Sequence, residues 1–228
     1  MSPQPRRLAV LISGSGTNLQ ALIDACSSGA IPNTEIILVL SNRKAAYGLT
    51  RAAQATPPIP TAYIALQPFI KSKASQGITA SREDYDDEVA WRVREANPDL
   101  VVLAGWMHVL SERFLDVMGG KKQREGSTGG GEGKPIPVIN LHPALPGAFD
   151  GANAIGRAWE AHEKGEIEKA GVMVHQVVKE VDRGAPILVR EIPFREGETK
   201  EEFEKRLHGI EWEVIVEATR KVLDEITS

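Results

Sequence analysis

Three runs of consecutive apolar residues set the rhythm of the first half of the chain: 8–12 (LAVLI), 36–40 (IILVL) and 100–104 (LVVLA). Runs of this length without polar alternation predict strands covered on both faces, as in a parallel sheet. Helical spacing fills the intervals. Leu19, Leu22, Ile23 and Cys26 fall at i, i+3, i+4 and i+7, and 44–55 reads as a second helix. A third opens on Ser81 as N-cap with Asp84 three residues on and stops before Pro98; its apolar stripe is Tyr85, Val89, Val93 and Ala96. Residues 138–142, 172–178 and 187–192 predict later strands. A long C-terminal helix starts at Thr199, with Glu202 completing a capping box and Phe203, Leu207, Ile210, Val214 and Ala218 as its stripe. Apolar strands alternating with amphipathic helices predict an α/β fold: a doubly wound, mostly parallel sheet with helices on both faces.

One stretch breaks the pattern. Residues 119–137 dilute lysine and glutamate in glycine, with Gly129, Gly130 and Gly131 in a row. So little apolar surface predicts a mobile insertion within a single domain spanning 1–228. A domain boundary is the alternative, opposed by strand 138–142, which continues the sheet. The chain has 228 residues, enough for a sizeable core, and a formal net charge of -4 with no basic footprint for nucleic acid. Its single cysteine, Cys26, can form no internal disulfide, fits a reducing compartment, and reads as a packed thiol on the first helix. Run 8–12 is too short for a signal peptide, and no stretch has the length of a membrane span, so a soluble, cytoplasmic protein is expected.

Candidate chemistry concentrates in three places. Residues 13–18 (SGSGTN) join the first strand to the first helix. Glycines there let a backbone approach a ligand, and free N–H groups at a helix start favour an anion, so a phosphate site is one reading. A tight turn capped by Ser15, Thr17 or Asn18 is the other. A dinucleotide fingerprint fits less well, because Leu19 takes the place of its third glycine and the second strand ends in Ser41-Asn42-Arg43 without a carboxylate. Further on, Asn140 and His142 alternate onto one face of strand 138–142, about 7 Å apart. Polar residues in an apolar strand need partners or a purpose. An amide donor beside an imidazole suits a carbonyl that becomes an oxyanion; a satisfied structural pair is the alternative. Pro143 ends the strand, and the irregular segment 144–152 follows. Asp182, on the turn 180–184, could orient His142 and favour its charged form, or serve only the turn. His162 and His175 read as structural. No cysteine–histidine cluster offers a metal site.

Taken in order, these segments resemble the phosphoribosylglycinamide formyltransferases, folate-dependent enzymes of purine synthesis, and their fungal branch in particular. The matching phrases are LISGSGTNLQALIDA (11–25), SNRKAAYGL (41–49), SREDYD (81–86), PDLVVLAGWMHVLS (98–111), INLHPALPGAFDGANAI (139–155) and VDRGAPI (181–187). The similarity runs over 8–223 and skips the insertion. It implies a formyltransferase fold with a Rossmann-like, nucleotide-binding half (1–103) and a folate-binding, catalytic half (104–228). It further implies glycinamide ribonucleotide and 10-formyltetrahydrofolate as substrates, no metal, and a monomer or weak homodimer. Residue by residue, Gly16, Thr17 and Asn18 match the phosphate loop, and Glu211 a ribonucleotide contact. Arg82, Met107, His108, Val109, Leu110, Asn140 and Val181 match the folate contacts, and Asn140, His142 and Asp182 the catalytic trio. The chain departs from bacterial relatives at His108, where arginine is common, at His208, where glutamine is common, and at Asn153 and Ile155, where histidines stand. Another 10-formyltetrahydrofolate-dependent transferase or hydrolase with the same trio is the rival; a methionyl-tRNA formyltransferase would need a further C-terminal domain. An NADP oxidoreductase would explain the glycine loop but not the trio.

Overall fold

The structure is a computed structural model that describes residues 4–122 and 133–226. The chain divides into two compact units, Met1–Val138 and Ile139–Ser228. The first runs β1 (Arg6–Ile12), α1 (Thr17–Ser28), β2 (Thr34–Ser41), α2 (Tyr47–Gln54), β3 (Thr61–Tyr63), α3 (Leu66–Ser75), α4 (Arg82–Glu95), β4 (Leu100–Leu103) and α5 (Glu112–Met118). Its strands lie in the order β3-β2-β1-β4, every pair parallel. The α/β class and the parallel sheet are therefore as expected, and the order is that of a Rossmann-type half. Leu8 through Ile12 and Leu100 through Val102 are wholly buried. A strand covered on both faces has no solvent side to call for polar alternation.

Helix α2 starts three residues later than its periodicity suggests. Ser41 Oγ folds back onto the backbone of Arg43, and Ala46 N–H donates to the Arg43 carbonyl, so the intervening residues form a turn. The capping box of α4 is formed as expected: Ser81 Oγ accepts from Asp84 N–H, and the Asp84 carboxylate accepts from Ser81 N–H. Cys26 is half-buried, and burial pushes its pKa up to about 11 despite nearby Arg6, leaving a packed thiol.

The glycine-rich stretch has ordered ends. Gly120 N–H bonds the Val117 carbonyl, Gly133 N–H bonds the Gly120 carbonyl, and Ile136 N–H bonds the Met118 carbonyl. Arg94 ties this stem to α4 through the carbonyls of Val117, Met118 and Lys134. A Cβ on Gly133 would meet the Arg94 guanidinium at 1.9 Å, so a side chain there would push the arginine aside. Arginine and backbone bonds hold both ends of the 119–137 stretch, expected from the sequence to be mobile; 123–132 lie outside the described residues.

The second unit contains β5 (Val138–His142), which starts on the last residue of the first, then α6 (Ala154–Glu163), β6 (Lys169–Gln176), β7 (Pro186–Pro193) and α7 (Lys200–Ile226). Both β5–β6 and β6–β7 are antiparallel. The Thr199–Glu202 capping box opens α7. Phe203, Leu207, Val214 and Ala218 are buried as the stripe requires, but Ile210 is only half-buried and Glu211 turns inward beside it. His162 stacks flat on Phe194, ring centroids 3.8 Å apart, in a cluster with Trp159 and Phe203. Among the described residues no helix is long and apolar enough to cross a membrane.

The closed stem yields a stability prediction. Joining Lys122 to Gly133 through two or three glycines should leave the thermal midpoint within a few degrees and not lower it, since about two halvings of the loop change closure entropy by only roughly 1.2 kcal/mol. Arg94→Ala, which removes the Lys134 carbonyl's bond and a charged donor from those of Val117 and Met118, should lower it by several degrees. Calorimetry on both variants checks this, and a large loss in the shortened chain would refute it.

Candidate active site

Asp182 is the centre of a polar cluster inside the second unit. Its backbone is left-handed, φ 56°, a conformation that Asp and Asn tolerate better than most residues. The turn carrying it folds back tightly on β6: a Cβ on Gly184 would lie 1.6 Å from the Gln176 carbonyl oxygen. Asp182 Oδ2 accepts from Gly151 N–H at 2.8 Å and lies 3.5 Å from His142 Nδ1. Oδ1 lies 3.3 Å from Asn140 Nδ2 and 3.4 Å from His175 Nε2. Asn140 and His142 do share one strand face, and both reach this carboxylate. Burial pushes the Asp182 carboxyl up, but the bonds from His175 and Gly151 N–H, with the charge of His142, outweigh it and hold the group below its usual range.

Hydrogen-bond partners constrain the ring protons. Each His142 nitrogen faces a group that can only accept, the Phe149 carbonyl 3.2 Å from Nε2 and the Asp182 carboxylate 3.5 Å from Nδ1, so a neutral ring can donate to one of them and the imidazolium to both. His175 Nδ1 lies 2.8 Å from the Gln176 carbonyl, which can only accept, and carries hydrogen. Its Nε2, 3.1 Å from Asn140 Nδ2, accepts the amide N–H when the ring is neutral and donates to Asp182 when it is charged. Burial lowers the His142 pKa, against the opposing pull of Asp182 and the Phe149 carbonyl. The resting ring is therefore biased toward its neutral form, with two acceptors placed to receive both N–H groups once it gains a proton.

His175 is the residue that sequence reasoning placed outside the site. It is directly opposite Asn140 in the β5–β6 register, and cross-strand partners project from the same face. No signal in one sequence sets that register; with it known, the position is immediate.

The first unit holds the other predicted residues. Gly16 is the N-cap of α1 with φ 71°, and no side chain caps the helix, so the reading with Ser15, Thr17 or Asn18 as cap is not what forms. The Asn18 Oδ1 is buried without a protein partner. A Cβ on Gly16 would lie 2.6 Å from Gly48 Cα, whereas Gly14 has open space; Gly48 N–H donates to the Gly14 carbonyl. Beyond β4, Met107 N–H donates to Ser13 Oγ and Arg82 donates to the Val109 carbonyl. Buried Asp86 joins the loop to α4, pairing with Arg82 Nε and accepting from Ser111 N–H. Trp106 and Leu110 are buried; Met107 and Val109 are exposed apolar side chains, so Met107 is not core. Burial, reinforced by Arg82, lowers the His108 pKa; it does not supply the charge an arginine would. In the second unit Val181 is exposed beside Asp182, and buried Glu211 pairs with His208 Nδ1 at 2.6 Å. Among the described residues no cluster of His, Cys, Asp and Glu is arranged to hold a metal.

A model of the formyl transferase family matches residues 6–122 and 132–219. The chain belongs to the formyl transferase family. Phosphoribosylglycinamide formyltransferase of Schizosaccharomyces pombe is 43% identical, the alignment covering 96% of this chain and 97% of the relative. The Saccharomyces cerevisiae protein of that name is 41% identical, covering 96% and 98%. Among solved structures, glycinamide ribonucleotide transformylase 1 from Symbiobacterium toebii superposes with a TM-score of 0.77 at 32% identity, covering 97% of this chain and 89% of that one. The family match interrupts at 123–131, inside the glycine-rich stretch of this formyl transferase.

The glycine loop and the His208–Glu211 pair each generate a prediction. Gly16→Ala places a Cβ in a left-handed conformation and against backbone, at a cost of about 1–2 kcal/mol, while Gly14→Ala should be neutral to stability; equal thermal midpoints for the two would contradict this geometry. His208 is raised above its ordinary 6.5 first by its bond to Glu211. The stability it contributes is present below the unfolded pKa and lost as pH rises through the folded one. Ring titration by NMR should show His208 above 6.5, and Glu211→Gln should return it toward that value; an unchanged titration would remove Glu211 as the cause.

Proposed function

We propose that the chain transfers the formyl group of 10-formyltetrahydrofolate to the amine of 5′-phosphoribosylglycinamide, giving formylglycinamide ribonucleotide and tetrahydrofolate, a step in de novo purine synthesis. The observation that carries the reading is the Asn140–His142–Asp182 cluster on an α/β scaffold of the formyl transferase family, whose relatives in both yeasts bear that activity in their names. Dinucleotide chemistry would leave this cluster unexplained.

In this reading the amine attacks the formyl carbon directly, and the carbonyl oxygen gains charge. The imidazolium of His142 and the amide of Asn140 stabilise that oxygen. Asp182 holds His142 and supports transfer of the amine proton, through water, to the departing folate nitrogen. Gly16, Thr17 and Asn18 supply uncapped N–H groups for the ribonucleotide phosphate, and Glu211 serves its ribose. Arg82 and the segment Met107, His108, Val109 and Leu110, with Val181, hold the folate; the exposed Met107 and Val109 suit its flat rings. With its half-buried thiol and no membrane-crossing helix among the described residues, we read the protein as cytoplasmic, a monomer or weak homodimer.

The primary test is incubation with both substrates while tetrahydrofolate is followed; absence of product overturns the reading. Asp182→Asn then isolates the charge. Asparagine tolerates the same left-handed backbone and still accepts from Gly151 N–H, so the fold should hold. Turnover should fall about a hundredfold or more, the scale of lost acid–base support, with ribonucleotide affinity changed only a few-fold. Turnover near the parent's with a collapsed thermal midpoint would make Asp182 a structural turn residue.

A further inference from the structure

The segment following His142 turns back across the ring under unusual restraint. Gly147, Phe149, Gly151 and Asn153 all have positive φ. The two glycines adopt it freely and asparagine tolerates it, so Phe149 is the residue whose conformation needs its surroundings to hold it. The bonds that do so here are charge-assisted. Arg157, on α6, donates through Nη2 to the Phe149 and Asp150 carbonyls, both at 2.6 Å. The Asp150 carboxylate pairs with Arg183 at 2.6 Å, and Gly151 N–H reaches Asp182. The Phe149 carbonyl that Arg157 holds is the one facing His142 Nε2.

We propose that Arg157 is a positioning residue for His142: by gripping the Phe149 and Asp150 carbonyls it fixes the acceptor for Nε2–H, and so sets the orientation and charge state of the catalytic ring. The inference rests on the role given to His142 above. The groups that face the ring are Asn140 on its own strand, Asp182 on the β6–β7 turn, His175 on β6 and Asp150 on the strap, with Arg157 and Arg183 behind the strap. Two acceptors, the Phe149 carbonyl and the Asp182 carboxylate, favour the charged ring; burial opposes it. Freeing the carbonyl removes one of the two, so the His142 pKa must fall further. Four tethers along one short strap also argue against a lid that opens at each turnover.

Arg157→Lys tests this with charge retained and the donor nitrogen drawn back by one bond, since Nη2 alone holds both carbonyls. His142 ring titration by NMR should move to lower pH than in the parent. The limb of the kcat profile on which activity falls as His142 loses its proton should move the same way. At neutral pH kcat should drop about tenfold, within the range that small misplacements cost, with KM for both substrates changed less than threefold. Arg157→Gln serves as a second variant, with the thermal midpoint recorded for each. An unmoved His142 titration in folded variants overturns the proposal, as does a rise in kcat, which would make the strap an obstruction. Failure of the parent to transfer formyl groups would sink the functional reading instead, and the titration would still decide whether Arg157 governs the ring.

Discussion

An ionised carboxylate removed from water costs several kcal/mol unless its lone pairs are met, and in the second unit the polar residues are arranged to meet them at Asp182. Gly151 N–H takes one side of Oδ2 and His142 the other; Asn140 and His175 share Oδ1. The four groups come from three pieces of chain: Gly151 from the strap, Asn140 and His142 from β5, and His175 from β6. The carboxylate therefore orients two histidines and an amide, and it fixes the path of the strap and the depth of the β6–β7 turn. The requirement for glycine at 184 follows, because the turn must press within contact of the Gln176 carbonyl to deliver Asp182.

The first unit solves a similar problem with the opposite material. Its candidate loops, 13–18 and 105–111, are held by close packing and one buried acid. Gly16 and Gly48 touch where side chains would collide, which brings the start of α2 against the glycine loop. Asp86, wholly buried, ties α4 to the 105–111 loop through Arg82 and Ser111. Arg82 is thereby held in place by Asp86 and by the Val109 carbonyl.

What the sequence made legible follows from how local each signal is. The parallel strands were readable because burial on both faces leaves an unbroken apolar run, and α4 and α7 because their capping boxes lie within four residues. Helix α3 has no buried residue and hence no stripe to detect; α5 is seven residues long; α6 buries Ala154, Gly156, Ala158 and Ala161, too small to register as an apolar face. Strand β3 is three residues with none buried. In the site, the Asn140–His142 pairing came from strand alternation alone. His175 did not, because its place depends on the register between two strands, and Arg157 did not, because a helix surface arginine looks the same whether it faces water or grips two carbonyls.

On the proposed function, the ring works as an imidazolium. Held in place, that charge is drawn far more strongly to the oxyanion than to the neutral formyl carbonyl, and such a difference is what raises turnover. Burial biases the resting ring toward neutrality, while Asp182 and the Phe149 carbonyl stand ready as acceptors for both N–H groups. Negative charge growing on the formyl oxygen tips the balance toward the imidazolium, whose two N–H groups are already met by those acceptors, so the ring acts on the oxygen through its charge. That attraction is strongest at the tetrahedral stage. The acceptors must be held at fixed distance for that balance to be so fine, which is why the strap is tied by arginines and a carboxylate rather than left to its backbone.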